Sequence, residues 1–196
     1  MNSERPDTRQ HILDCGQRLV ATKGFVGVGL AELLTTAGVP KGSFYHYFAS
    51  KEVFGIALLD HYFDDYLNRL DALAQASGLT GAQRLETYCE RWTETQRGED
   101  AALYCLIVKL SAEIADLSDA MRERMLAGTG RVLGVLADWV AEGQRDSSIG
   151  NRQSATALAE TFYELWLGAS LLAKLRRDST AFEGALARTR ELLQSG

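Results

Sequence analysis

Only two prolines occur in the chain of 196 residues, Pro6 and Pro40, so no proline interrupts any helix after residue 41. A hydrophobic share of 46% is enough to build a sizeable core and argues against disorder. Together these point to an all-α fold, and the length suits one ordinary domain or a small domain with a larger one. No apolar run approaches ~18 residues, so no membrane span is expected. The first residues lack the charged-then-apolar build of a signal peptide.

Glycine, serine and polar clusters divide the chain. Asp7 or Thr8 can cap a first helix ending near Lys23, whose apolar stripe is Ile12, Leu13, Cys15, Leu19 and Val20, with Gly24 at its C-terminus. A short apolar helix over 30–37 follows, with Gly29 as its N-cap. Gly38-Val39-Pro40 then makes a tight turn, placing Pro40 at the first position of a new helix, Lys41-Gly42-Ser43-Phe44-Tyr45-His46-Tyr47-Phe48. Helix, glycine turn and second helix form the helix-turn-helix pattern, whose second helix enters the DNA major groove. Ser50 caps a long helix from Lys51 to about Ala76. At about 1.5 Å per residue it runs roughly 37 Å, enough to serve as a connecting rod. The expected division is 1–50 as a three-helix DNA-binding head and 51–196 as a helical bundle for regulation and dimerisation.

Charge follows that division. Residues 1–51 hold six Lys/Arg against four acids, a net of +2, whereas the remainder carries 15 against 22, a net of −7. A mildly basic head on an acidic body suits a local DNA contact and a body that DNA repels. Tyr45 and His46 would face the groove, Lys41, Tyr47 and Lys51 would hold phosphates, and Phe44 and Phe48 belong to the core.

In the body, helices are expected over 80–96, 101–115, 118–145, 151–176 and 179–193, with a loop at 97–100 and a turn at 146–150. The helix from Asn151 is apolar on two sides. Ala155, Leu158, Ala159, Phe162, Leu165, Trp166, Ala169, Leu172 and Ala173 follow i, i+3, i+4, i+7, and Tyr163, Leu167 and Leu171 lie on another face. With Gly168, Ala169 and Ser170 permitting close approach, its second partner is expected to be the same helix of a second copy, making a homodimer.

Cys15, Cys89 and Cys105 make an odd count without CxxC spacing. Neither a disulfide framework nor a zinc site is expected, and a reduced cytoplasm is the natural compartment. Cys15 and Cys89 read as small core residues. Cys105 has Lys109 four residues on and a helix N-terminus close by, both favouring a thiolate, while burial would oppose it. Lys174 sits in an apolar stripe. It either snorkels at a helix end or lies near Cys105. Trp92, Trp139 and Trp166 could line an aromatic pocket, though core packing is the plainer use. His61 and Asp65 read as a solvated pair. No catalytic constellation, metal site, cofactor motif or phosphate-binding glycine loop is present. A helical enzyme or a pure interaction scaffold would leave the helix-turn-helix and the basic head unexplained.

Residues 9–57 resemble the DNA-binding head of the TetR family of transcriptional repressors. The resemblance lies in Arg9-Gln10-His11-Ile12-Leu13, Lys23-Gly24-Phe25, Leu30 to Leu34, Ala37-Gly38-Val39, Lys41 to Phe48 and Ser50-Lys51-Glu52. It departs at Val28-Gly29, where the family usually has a threonine or serine hydroxyl. The resemblance implies a homodimer reading two half-sites of an operator, a DNA-contacting set of Lys41, Gly42, Ser43, Tyr45, His46, Tyr47 and Lys51, and a ligand-responsive body. Cys105-Leu106-Ile107-Val108-Lys109-Leu110-Ser111-Ala112-Glu113, with Asp116-Leu117-Ser118 and Leu165-Trp166-Leu167-Gly168-Ala169, is similar to the electrophile-responsive repressors of the N-ethylmaleimide reductase operon. That similarity implies a sensor at Cys105 that responds to a small electrophile or oxidant; Lys109, by its spacing, and Lys174 remain its candidate partners. The alternative is reversible binding of an apolar effector between the body helices.

Overall fold

The computed structural model describes residues 7–95 and 106–195, and every regular element among them is helical. The helices are α1 (Thr8–Lys23), α2 (Leu30–Ala37), α3 (Lys41–Tyr47), α4 (Lys51–Ala74), α5 (Gly81–Thr95), α6 (Leu106–Leu117), α7 (Asp119–Arg145), α8 (Ala155–Arg176) and α9 (Thr180–Ser195). Two compact units result, Met1–Asp65 with Ala102–Gly128 and Tyr66–Ala101 with Thr129–Gly196. Among the described residues, the boundaries fall inside α4 and inside α7.

The first unit begins with the cap expected at Asp7, whose carboxylate accepts from the Arg9 N–H at 3.0 Å. α1 buries Ile12, Leu13, Cys15, Gly16, Val20 and Ala21, and stops at Gly24, whose φ of 81° is open to glycine. α2 has Gly29 as N-cap with no side-chain cap bond, which is the local consequence of the missing hydroxyl. Gly38 at φ 63° closes α2, and the Val39 N–H reaches back to the Leu34 carbonyl at 3.1 Å. Pro40 is not the first residue of α3, as expected, but its N-cap. Its ψ of 154° is extended, and the helix starts at Lys41.

Phe44 and Phe48 are buried and meet Phe54 from the first turn of α4, with ring centroids 5.3–5.6 Å apart. Gly16 lets α1 approach this cluster; a Cβ there would lie 2.4 Å from Phe54 Cζ. Ser50 caps α4 by accepting from the Val53 N–H at 3.1 Å, which is half a capping box because Val53 has no acceptor to return. α4 ends at Ala74, two residues earlier than expected, and Gly78 turns the chain at φ 81°.

Two glycines bring α4 and α7 close within this unit. A Cβ on Gly55 would fall 2.6 Å from Met121 Cε, and one on Gly128 would fall 2.1 Å from the Phe63 ring. α6 contributes Leu106, Ile107, Leu110 and Ile114 to the interior. Ser118 caps α7, its hydroxyl accepting from the Met121 N–H at 3.2 Å.

The second unit is held by an aromatic seam and by small residues. Thr80 and Gln83 cap α5 reciprocally, at 2.9 and 3.3 Å. Gly81 and Gly143 bring α5 and α7 to backbone contact, a Cβ on Gly81 lying 2.4 Å from Gly143 Cα. α8 starts at Ala155 rather than at Asn151, because Ser154 is the cap and accepts from the Ala157 N–H at 3.3 Å. Tyr88, Trp92, Phe162 and Trp166 meet edge-on or tilted at 5.4–6.2 Å, and Phe182 of α9 stacks on Trp166. Trp166 Nε1 donates to Thr189 Oγ1, and Trp92 Nε1 donates to Ser170 Oγ, each at 2.9 Å. Trp139 and Trp166 are therefore core residues, Trp166 with its polar edge satisfied, and Trp92 is half-buried.

Phe54→Ala should be the most costly single truncation in the first unit, lowering unfolding free energy by about 3–5 kcal/mol. Urea unfolding at fixed protein concentration measures it; a loss no larger than that of an exposed position would contradict the aromatic cluster's role.

Candidate DNA-binding surface and sensor segment

α3 is seven residues long, about two turns, and the burial of Phe44 fixes which way it faces. Turned outward are Lys41, Gly42, Tyr45, His46 and Tyr47, with Ser43 half-buried. Tyr45 is 48% exposed and Tyr47 37%, an unusual display of aromatic surface for so short a helix. Its rings are held in edge contacts, Phe44 with Tyr45 at 5.4 Å and His46 with Tyr47 at 4.8 Å. The Lys41 ammonium lies 5.8 Å from the Tyr45 ring centroid, the Arg9 guanidinium 5.6 Å from that of Phe48, and the Lys51 ammonium 4.9 Å from that of Phe25. A Cβ at Gly42 would meet nothing within 4 Å, so another surface can approach the backbone there. Rigid rings with hydroxyl and imidazole edges, flanked by three cations, can offer base-edge donors and phosphate contacts together.

The segment expected to carry the signal lies only partly in view. Cys105 is outside the described residues. Lys109 sits half-buried on α6, and Lys174 is exposed near the end of α8, beside Arg176. The other cysteines are buried, Cys15 at 7% and Cys89 at 0% exposure, and desolvation pushes both thiols above their ordinary range. Neither is poised as a thiolate.

Two arrangements were not read from the sequence. His61 is less solvated than an i, i+4 pair with Asp65 implies. Its side chain is 16% exposed and Nε2 lies 3.0 Å from Asp14 Oδ1 and 2.9 Å from Gln10 Nε2, joining α4 to α1. No cluster of His, Cys, Asp or Glu among the described residues is placed to hold a metal. The second arrangement is at Glu113 of α6, whose carboxylate accepts from the Phe25 N–H at 3.0 Å and the Val26 N–H at 2.5 Å, in the turn between α1 and α2. Nothing in the spacing of α6, which also carries Lys109, Ser111 and Asp116, marked Glu113 for this contact.

Residues 12–58 match the family of bacterial regulatory proteins described as the tetR family, and residues 81–189 match the tetracyclin repressor-like C-terminal domain. Over 187 residues the chain is 40% identical to the HTH-type transcriptional repressor NemR of Escherichia coli strain K12, covering 95% of this chain and 94% of that protein. It is 30% identical to the HTH-type transcriptional repressor DhaR of a Mycobacterium species over 174 residues, 89% of this chain and 86% of that one. The crystal structure of E. coli NemR in its reduced form superposes with a TM-score of 0.91 at 39% identity, over 97% of this chain and 98% of that one.

Burial makes a direct forecast for thiol chemistry. In a Cys105→Ser protein at neutral pH, Cys15 and Cys89 should stay unlabelled by N-ethylmaleimide over a time in which urea-unfolded protein takes up both labels. Intact-mass spectrometry reads the count, and rapid labelling of the folded variant would contradict their assignment as inert core thiols.

Proposed function

The chain belongs to the TetR family of transcriptional repressors, and on that footing we propose that it is a homodimeric repressor whose operator is released when an electrophile or oxidant modifies Cys105. The observation that carries this reading is likeness along nearly the whole chain, body as well as head, to NemR, whose crystal structure is described as a reduced form. The buried, poorly acidic thiols of Cys15 and Cys89 support Cys105 as the reactive one.

DNA contact is assigned to α3 and its flanks. Tyr45 and His46 read base edges, Lys41, Tyr47 and Lys51 hold phosphates, and Gly42 and Ser43 let the backbone come close. The second copy docks on α8. Gly168, Leu171, Leu172 and Leu175 form an outward stripe at helical spacing; Leu171 is 48% exposed and Leu175 71%, an apolar patch that a partner helix would cover. No helix among the described residues is long and apolar enough to cross a membrane. The protein acts where its DNA is, in the cytoplasm.

The chemistry is addition of a thiolate. The Cys105 sulfur forms a C–S bond to the electrophilic carbon of an activated alkene, the π pair moves to the neighbouring carbon, and a proton from water completes that carbon. The adduct adds bulk and removes a charge at the residue preceding α6. Lys109, four residues on in the sequence, is the cation assigned to favour the thiolate.

Cys105→Ser should bind the operator as the parent does and keep it after exposure to N-ethylmaleimide. Release as complete as the parent's would remove Cys105 from the mechanism. Separately, Tyr45→Ala should weaken operator binding by about 1–3 kcal/mol, and Lys41→Ala should lower the salt slope by about 1, with thermal stability kept. Fluorescence anisotropy across a salt series reads both.

A further inference from the structure

A repressor of this kind needs its body helices to act on its head, and the structure contains one polar contact suited to that task. α6 begins at Leu106, the residue after Cys105. Two turns further on, its Glu113 carboxylate takes two successive backbone N–H groups, those of Phe25 and Val26, at 3.0 and 2.5 Å. Successive main-chain N–H groups make a small concavity that favours an anion, and hydrogen bonds to a charged acceptor are shorter and stronger than neutral ones. The turn is shaped for this carboxylate. Gly24, at φ 81°, carries no Cβ, and one built there would lie 2.8 Å from Glu113 Oε2.

The surroundings show what such a contact controls. Phe25 is buried beneath the Lys51 ammonium, and its ring would touch a Cβ at Gly55, so the turn gripped by Glu113 is packed on the start of α4. The Ser118 hydroxyl donates to Glu52 at 2.5 Å, a second tie from the loop after α6 to the same first turn. Between these ties lies a cleft of about 390 Å³, bounded by Phe25, Lys51, Leu117 and Met121. The turn is thus held by hydrogen bonds on one side and has room to move on the other. A shift or rotation of α6 that withdraws Glu113 frees the two amides and, with them, the end of α1 and the start of α2.

We propose that Glu113 is the latch through which α6 holds the DNA-binding head in its operator-competent position. It is a positioning residue and touches no DNA. The inference rests on the sensor reading above only for the identity of the signal.

The test compares the parent with Glu113→Ala and Glu113→Gln, measuring operator Kd before and after N-ethylmaleimide treatment and amide exchange at Phe25 and Val26. In the parent, the ratio of modified to unmodified Kd is expected in the ordinary range of allosteric coupling, about 5–150-fold. In Glu113→Ala it should collapse to within about twofold of unity. The unmodified variant should already bind more weakly, since a smaller fraction of heads is held competent. Both amides should exchange faster. Glu113→Gln keeps one carbonyl acceptor and should lie between the two; it also carries the test if the alanine variant does not fold.

A variant that binds weakly but keeps the parent's ratio would show Glu113 to be merely structural and overturn the proposal. If the parent itself ignores N-ethylmaleimide, the Cys105 reading fails instead. The latch then stands if faster exchange at Phe25 and Val26 accompanies weaker operator binding, and falls if either is unchanged.

Discussion

The packing of three phenylalanine rings, Phe44, Phe48 and Phe54, is the constraint from which the DNA-binding unit follows. Two of the rings come from α3 and its end, the third from the start of α4. A helix of seven residues has no stability of its own, because its nucleation cost is repaid over so few hydrogen bonds. α3 exists because burial of these rings, worth about 1.5–3 kcal/mol each, holds it in place. The same burial fixes its rotation, so Tyr45 and His46 face outward as a result of what Phe44 does inside. It also makes α3 and the first turn of α4 one body, and the display surface cannot turn without the helix that carries Phe54.

Around that body the contacts are of two kinds. Gly16, Gly55 and Gly128 allow rings and a methionine to approach helix backbones at distances no Cβ would permit. Such contacts are strong in sum and weakly directional, and close-packed surfaces of this kind shift between discrete arrangements more readily than they stretch. The carboxylate of Glu113 and the hydroxyl of Ser118 differ in kind. Each has a defined partner atom and a narrow range of useful geometry. Apolar packing makes the head and its neighbours cohere, while the polar ties select one arrangement among those that cohere.

The local grammar of the sequence was legible. Asp7, Ser50, Thr80 and Ser118 mark helix starts because each needs only its own neighbours to accept an orphan N–H, and Gly38 marks the turn because only positive φ closes α2 there. The start of α8 was misplaced because Asn151 and Ser154 are both good caps and only the second has its side chain on a helix amide. The display face of α3 was legible for a different reason, since aromatic residues exceed what a two-turn helix can bury. The expected sensor at Cys105 was reached from its spacing to Lys109 and from family resemblance, and Cys105 lies outside the described residues. What could not be read were pairings across long stretches of chain, namely Asp14 with His61 and Glu113 with the amides of Phe25 and Val26. Periodicity records which way a side chain points, not which distant backbone it meets.

That last pairing bears on how such proteins diverge. Glu113 grips main chain; of the two residues whose amides it holds, Phe25 is buried and Val26 is 62% exposed. If Glu113 acts as proposed, an exposed side chain such as that of Val26 could change without loosening the hold of α6 on the turn. On the proposed latch the Glu113 carboxylate and the space left at Gly24 can only change together, since a Cβ at Gly24 would lie 2.8 Å from Glu113 Oε2.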